Sequence, residues 1–408
     1  MSDGPGARDV LVVGAGAAGI VAAIFARRAG ARVTLLEATG NPGQKILISG
    51  GGRCNVLPQR FQPERFVSET PRLAVRLLRA WRLGPVRAFF EEELAIPLAL
   101  EPGTGKLFPA SQRARDVRDA LLSAAERSGV RVLRNARVAD VERSPLAAVL
   151  GEGGNVPAAA VVLATGGLSI PKTGSDGAGL AIARRHGHRI VEPYPALTPL
   201  RTDRAEHRAL AGLSVAVRLR AGMPVAPLAS SGGFLFTHGG YSGPAVLDVS
   251  HAVVRDPSAA VRVAWTGFSS EDWRERLLAA PGAAKVETIL ARELPARLAG
   301  VLAAESGVPV GETIARLRRE TRLRLVEALS RYALPVTGHE GFGKAEVTGG
   351  GVALEEVDPV TLESRRVPGL FLCGEILDAF GPIGGHNFLW AWVTGRTAGL
   401  GAAARAAS

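Results

Sequence analysis

The chain has 408 residues, 47% of them apolar and 5% aromatic, with a formal net charge of +11. That length supports two or three domains around a substantial core, while two cysteines, Cys54 and Cys373, exclude a disulfide framework and fit a reducing cytoplasm. The positive charge comes mainly from arginines scattered through helical patterns, with only five lysines and no interleaved aromatic platform, so no stable nucleic-acid partner is expected.

Residues 1–8 read as a short disordered lead without the basic-then-apolar pattern of a signal peptide. The apolar run 10–13 reads as a buried parallel strand. Gly14, Gly16 and Gly19 follow in the spacing G-x-G-x-x-G, and a small-residue helix including Ala17 and Ala18 extends to about residue 29. The first glycine permits a tight turn, the second lets a pyrophosphate reach the backbone, and the third lets helix and strand pack closely. A second strand, 32–36, ends at Glu37, placed to accept from an adenosine ribose hydroxyl, with Ala38 beside it. These features predict a dinucleotide site and leave open whether it takes a nicotinamide or a flavin dinucleotide. The run 10–26 is uncharged over 17 residues, but its glycines and strand–turn–helix order point away from a membrane span.

Residues 38–57 read as a loop leaving the strand end. Lys45 and Arg53 are candidate diphosphate or substrate contacts, Gly50, Gly51 and Gly52 suit close ligand approach, and Asn55 can hydrogen-bond a ring or backbone. Cys54 reads as a small buried filler. Helical patterns follow at 71–81, 84–94 and 110–128, with a lysine-bearing turn at 103–109. Strand 158–163 runs into Ala164, Thr165 and Gly166, a second place where backbone can approach a cofactor. His186 and His188 flank the end of a helix at 178–186 and read as surface residues, with no third ligand at metal spacing.

Three prolines at 192–199 mark a crossover. Beyond it, alternating strands give way to helices from about 273 to 334, so 193–341 reads as an inserted mixed domain that covers the cofactor. His238 lies in a glycine turn of this insert. The last part returns to short buried patterns at 345–348 and 354–357 around Gly349, Gly350 and Gly351. A strand at 370–373 then leads into Gly374 and Glu375. Gly384 and Gly385 open a helix from about 386, with Asn387 and Phe388 in its first turn.

The stretches GAGAAG, ILISGGGRCN, LATGGLSIPKTGSDGAG, THGGYSGPA, KAEVTGGGV and GLFLCGEILDAFGPIGGHNFLWAWVTGRTAG together resemble the bacterial NAD(P)/FAD-dependent oxidoreductases of the YhiN and BaiN type, the aminoacetone-oxidase-family FAD-binding enzymes. The resemblance runs over nearly the whole chain. It implies an α/β fold: a Rossmann-like FAD-binding domain of the glutathione-reductase kind at 8–192 and 342–408, interrupted by the insert at 193–341, which has a strand-rich and a helical part. It implies FAD held by Gly14, Gly16, Gly19 and Glu37. Lys45, residues 50–55 and 164–166, and Glu375 would lie along the cofactor, and Gly384, Gly385, Asn387 and Phe388 would pass the flavin ring. His386 stands where the family usually carries Tyr, and SDGAG at 175–179 where it usually has STGDG.

The expected activity is hydride transfer through flavin on a small-molecule substrate in the cytoplasm, with no membrane partner. The insert carries no second dinucleotide fingerprint, so NADH or NADPH would bind transiently as donor. His386 and His238 are the expected proton donors or acceptors. A helix N-terminus should keep His386 neutral, with a limb in the pH–rate profile near 6 to 7. Rival readings are a flavin-free NAD-dependent dehydrogenase, a tRNA-modifying flavoprotein and a flavin-binding regulatory protein.

Overall fold

The apolar run after Asp9 is the central strand of a parallel sheet. The computed structural model describes residues 9–222 and 228–408; the expected disordered lead, with the expected domain start at residue 8, lies outside them. Strand β1 (Asp9–Val13) turns into helix α1 (Ala17–Arg28) and returns as β2 (Arg32–Leu36). Helix α2 (Ala114–Arg127) leads to β3 (Arg131–Leu133), and β4 (Ala160–Leu163) and β5 (Leu370–Leu372) complete the sheet. The order is β5-β4-β1-β2-β3 with every neighbouring pair parallel. Val10, Val12, Val161 and Leu372 are wholly buried, as expected of a parallel sheet covered on both faces.

Helix α3 (His386–Ala407) packs on α1. Their backbones come unusually close: a Cβ on Gly395 would lie 2.4 Å from the Ala18 carbonyl oxygen, and one on Gly399 would lie 2.3 Å from that of Ala22. The small residues of α3 are therefore required by helix–helix approach.

The chain divides into two units, Met1–Tyr194 with Glu346–Ser408, and Pro195–Ala345. Among the described residues the second unit is built on a seven-stranded sheet. Its longest strands, Ser214–Ala221 and Leu228–Phe236, pair antiparallel, and helix Pro244–Arg255 packs against both. Trp265, Trp273, Phe234 and Phe236 lie in its core. Four further α-helices between Ser270 and Ser330 follow five of its strands, and two short strands, Tyr332–Ala333 and Gly338–His339, come after them.

Three local expectations are corrected. Residues 38–57 contain a helix, Gln44–Gly52, broken where Ser49 turns extended and Gly50 and Gly51 turn left-handed. The glycines at 349–351 do not interrupt two short segments but sit inside one buried strand, Val347–Val352. A Cβ on Gly349 would fall 2.3 Å from the Tyr194 ring and one on Gly350 2.5 Å from the Glu192 carbonyl oxygen, so these glycines make room for neighbours. His188 is buried, bonded through its ring nitrogens to the Ala183 carbonyl and the Ser364 hydroxyl at 3.0 and 2.7 Å, and is no surface residue.

Candidate functional site

The turn between β1 and α1 combines a close-packed base with an open lip. A Cβ on Gly14 would lie 2.6 Å from the Ala164 carbonyl oxygen, and one on Gly19 would lie 1.9 Å from that of Gly14. The turn thus packs onto the end of β4, with Ala164 buried beneath it and Thr165 and Gly166 half-buried beyond. Gly16 differs: nothing lies within 4 Å of the Cβ position it leaves vacant. It is also the N-cap of α1, and no side chain caps that helix. The first-turn N–H groups at Ala17 and Ala18 are thus left to an external acceptor, an arrangement suited to a diphosphate. Residues of this kind fit a dinucleotide.

Glu37 is buried at the end of β2. Its Oε2 accepts from the Ala15 N–H at 2.9 Å, and its Oε1 accepts from the Thr39 N–H and hydroxyl, both at 2.8 Å. The carboxylate therefore braces the glycine turn against the next loop; Ala38 follows it, half-buried.

A second polar group joins four distant parts of the sequence. Lys45 Nζ donates to Glu375 Oε2 at 2.5 Å and to the Ser169 hydroxyl, which in turn donates to Glu375 Oε1. Thr348 adds its N–H and its hydroxyl to the same oxygen, each at 2.9 Å. The ion pair is partly sheltered, with side-chain exposures of 26% for Lys45 and 18% for Glu375. Gly374, just before Glu375, is fixed by α3: its N–H donates to the Thr394 hydroxyl and its carbonyl accepts from the Trp390 ring. Ser169 and Thr348 are partners that sequence reasoning missed. Both lie inside quoted motifs, but nothing in their spacing announces a shared carboxylate.

The remaining expected residues divide between contact and support. Gly50, Gly51 and Gly52 are exposed. Arg53 is committed elsewhere, donating to Glu101 at 2.7 Å and lying 4.1 Å from the Phe108 ring centre. Cys54 is wholly buried and burial pushes its thiol up to about 12, against a smaller lowering by Ser49; it is inert at neutral pH. The Asn55 amide, oriented so that its oxygen accepts from the Gly385 N–H at 3.0 Å, donates to the Leu57 carbonyl at 3.3 Å. Asn387 exchanges two hydrogen bonds with the backbone of Gly381, at 2.9 and 3.0 Å. Both asparagines therefore order the Gly384–Gly385 turn, and Phe388 stacks on Trp392 with centroids 5.2 Å apart.

His386 is 3% exposed, edge-on to Phe66. Neither ring nitrogen completes a hydrogen bond, although the backbone of Arg60 and Ile383 lies near enough to favour the cation slightly. Burial, with the Arg65 charge second, drives its pKa down to about 4. The ring is neutral at pH 7 as expected, but chiefly through desolvation. The expected limb near pH 6 to 7 is corrected, because a group held near 4 does not titrate there. His238 belongs to the second unit, exposed in the turn after Leu228–Phe236. Among the described residues no group of three or more His, Cys, Asp or Glu side chains is placed to hold a metal, and no helix is long and apolar enough to cross a membrane.

A family model described as the HI0933-like protein Rossmann domain matches residues 8–401. The chain belongs to the HI0933-like family. Three relatives match it nearly end to end. A 3-dehydro-bile acid delta(4,6)-reductase of Clostridium scindens is 32% identical over 97% of this chain and 98% of its own. A ribosomal RNA dihydrouridine synthase of Escherichia coli is 32% identical over 94% and 95%, and one of Haemophilus influenzae 31% over 94% and 95%. Among solved structures, the open conformation of a flavocytochrome c3 fumarate reductase superposes with a TM-score of 0.55 at 20% identity, covering 99% of this chain and 80% of the other. A 3-ketosteroid delta1-dehydrogenase from Sterolibacterium denitrificans gives 0.52 at 13% identity, covering 97% and 99%; at such identities the likeness is one of fold. This HI0933-like protein is a flavoprotein, an FAD-dependent oxidoreductase on a Rossmann fold.

Proposed function

We propose that the protein reduces a carbon–carbon double bond conjugated to a carbonyl in a small molecule, with NADH or NADPH as the transient donor of hydride. One observation carries the reading. Relatives matching almost end to end bear names for different substrates, a 3-oxo bile acid and a uridine, yet saturating a double bond next to a carbonyl describes both. When bound, FAD supplies a ring that takes hydride from the donor and returns it to the substrate.

The chain's own residues then have separable tasks. The open Gly16 turn and the α1 N-terminus receive the diphosphate, and Glu37 receives the ribose while bracing Ala15 and Thr39. Lys45 and Glu375 hold a ribityl or diphosphate oxygen, positioned by Ser169 and Thr348. Asn55 and Asn387 keep the Gly384–Gly385 turn in the shape that admits the ring.

The test is anaerobic reduction of the purified protein by NADH and by NADPH in separate runs, followed by conjugated ketones as acceptors and mass spectrometry of the products. A gain of two hydrogens across the double bond supports the reading; reoxidation by quinones alone would defeat it. A second reading, reduction of a uridine in RNA, is favoured by the two relatives named for ribosomal RNA. Dihydrouridine appearing in ribosomal RNA incubated with enzyme and donor would select it.

A further inference from the structure

The segment that lies against the Gly384–Gly385 turn is strongly basic. Residues 58–86 carry six arginines and no lysine, against two acids, Glu64 and Glu69. The segment is also strapped to the candidate site. A Cβ on Gly385 would lie 2.4 Å from the Leu57 carbonyl carbon, and Phe66 meets the His386 ring edge-on with centroids 6.1 Å apart. Val67 exchanges backbone hydrogen bonds with Phe380 at 2.8 and 3.0 Å. Asp378 then accepts from the Ser68 hydroxyl and the Glu69 N–H at 3.2 and 2.8 Å, and helix Pro71–Leu78 begins. Five residues of chain carry Arg72 at most about 18 Å from Val67.

This helix has two unlike faces. Ala74, Leu77 and Leu78 are buried, and the helix packs on α3. At ~100° per residue, Arg72, Arg76 and Arg79 fall within about 60° of one another, opposite those three. All three arginines are exposed, and among the described residues none of their side chains makes an ion pair, a hydrogen bond or a ring contact. By contrast Arg28, Arg87 and Arg189 each pair with a glutamate, and the partner of Arg189 is Glu69, the acid closest in sequence to the helix start. Helix stability does not account for the row. Arg76 and Arg79 complement the negative end of the helix dipole, but Arg72 stands in the first turn, where a cation is disfavoured and no acid offsets it. Arginines four apart on one face also repel each other. A bound polyanion would relieve both costs.

We propose that helix Pro71–Leu78 is a docking face for RNA, on which Arg72, Arg76 and Arg79 hold successive backbone phosphates beside the flavin site. The assignment rests on the reading of the protein as a reductase of uridine in RNA. The rise from Arg72 to Arg79 is about 10 Å, over which one strand of a duplex presents about three phosphates. A single phosphate engages one end of such a row; a polyanion engages all of it. The planar guanidinium offers paired N–H donors that match a phosphate. A lipid surface is the poorer occupant, because the apolar face that a helix would insert is already buried. The helix carries no aromatic residue, so the contact is one of charge, sensitive to salt and indifferent to sequence. It positions a strand and leaves the choice of base to the site.

Arg72→Gln, Arg76→Gln and Arg79→Gln together remove the charge of the row from exposed positions. The holoprotein of this variant should keep its FAD and be reduced by NADPH as the parent is. Its affinity for a fluorescein-labelled oligouridine, read by anisotropy, should fall about tenfold or more, and the slope of log affinity against log salt should shrink by about 2. Its formation of dihydrouridine in unmodified ribosomal RNA should fall as well. R316Q, R318Q and R319Q together remove three exposed arginines from the second unit and should change neither quantity. Equal losses in the two triple variants would make net charge the cause and overturn the docking face. A row variant that binds RNA with the parent's slope and forms dihydrouridine at the parent rate would overturn it too, as would binding of the parent to phosphatidylserine vesicles in place of RNA. A parent that NADPH reduces, but that neither binds RNA nor forms dihydrouridine, overturns the uridine reading and the docking face together.

Discussion

Replacing Gly16 and Gly19 one at a time should separate cofactor binding from folding. Gly16 has φ −82° and ψ −172°, a conformation open to any L residue, and its missing Cβ points into space free of protein within 4 Å. Gly16→Ala should therefore cost the apoprotein at most about 1 kcal/mol, the order of a weakened N-cap. Its methyl group, and more so the branched side chain of Gly16→Val, would occupy the path of the diphosphate, and FAD affinity should fall about tenfold or more, ~1.4 kcal/mol and upward. Gly19 has the opposite geometry. A Cβ there would stand 1.9 Å from the Gly14 carbonyl oxygen, so backbone must move, and overpacking of this kind costs about 1–3 kcal/mol or more. Urea unfolding of FAD-stripped protein measures the first quantity and quenching of FAD fluorescence the second. If G16V binds FAD as tightly as the parent, or if apo G19A unfolds at the parent's urea midpoint, the geometry assigned to this turn is wrong.

Glu37→Ala should weaken FAD binding by about 1.5 to 3 kcal/mol through loss of a charge-assisted hydrogen bond; titration at the parent's affinity would contradict the ribose role. It should also lower apoprotein stability, because the N–H groups of Ala15 and Thr39 lose their acceptor. His386, near 4 when folded and about 6.5 when unfolded, binds more protons in the unfolded chain. Its contribution is therefore complete above pH 6.5 and is lost as the pH falls toward 4. His386→Phe should shrink the loss of stability between pH 7 and pH 5 by about 2 kcal/mol; an unchanged pH slope in denaturant melts would refute the neutral buried ring. Iodoacetamide should label neither cysteine in the folded holoprotein at pH 7.5, since both thiols are sealed and neutral. Rapid alkylation with loss of flavin reduction would show that one of them is accessible.

The stretch from Asp9 to Glu37 was legible because an apolar strand, a glycine turn and a small-residue helix each leave a local signature. The glycines at 349–351 misled, because a residue that commonly breaks strands was here making room for Tyr194 and Glu192 within one. Arg53, Asn55 and Asn387 have the polarity of ligand contacts, and only three-dimensional neighbours reveal that Glu101, Gly385 and Gly381 engage them. The Lys45–Glu375 cluster was half visible: its two charged members stood out, while Ser169 and Thr348 join them through strand ends that are remote in sequence.

The close seat of α3 on α1 has a bearing on how the protein is made. The nucleotide turn leaves the ribosome early, but the helix that backs it begins only at His386. At about 5–20 residues per second, some 360 residues of intervening synthesis take roughly 20 to 70 s. Throughout that interval the Ala18 and Ala22 backbone, later covered at 2.4 and 2.3 Å from the Cβ positions of Gly395 and Gly399, has no α3 to meet. Premature termination anywhere between Glu37 and His386 would leave the whole fingerprint intact in sequence and its supporting wall missing. The same holds for a nascent chain offered FAD too soon: the motif is complete long before the site is.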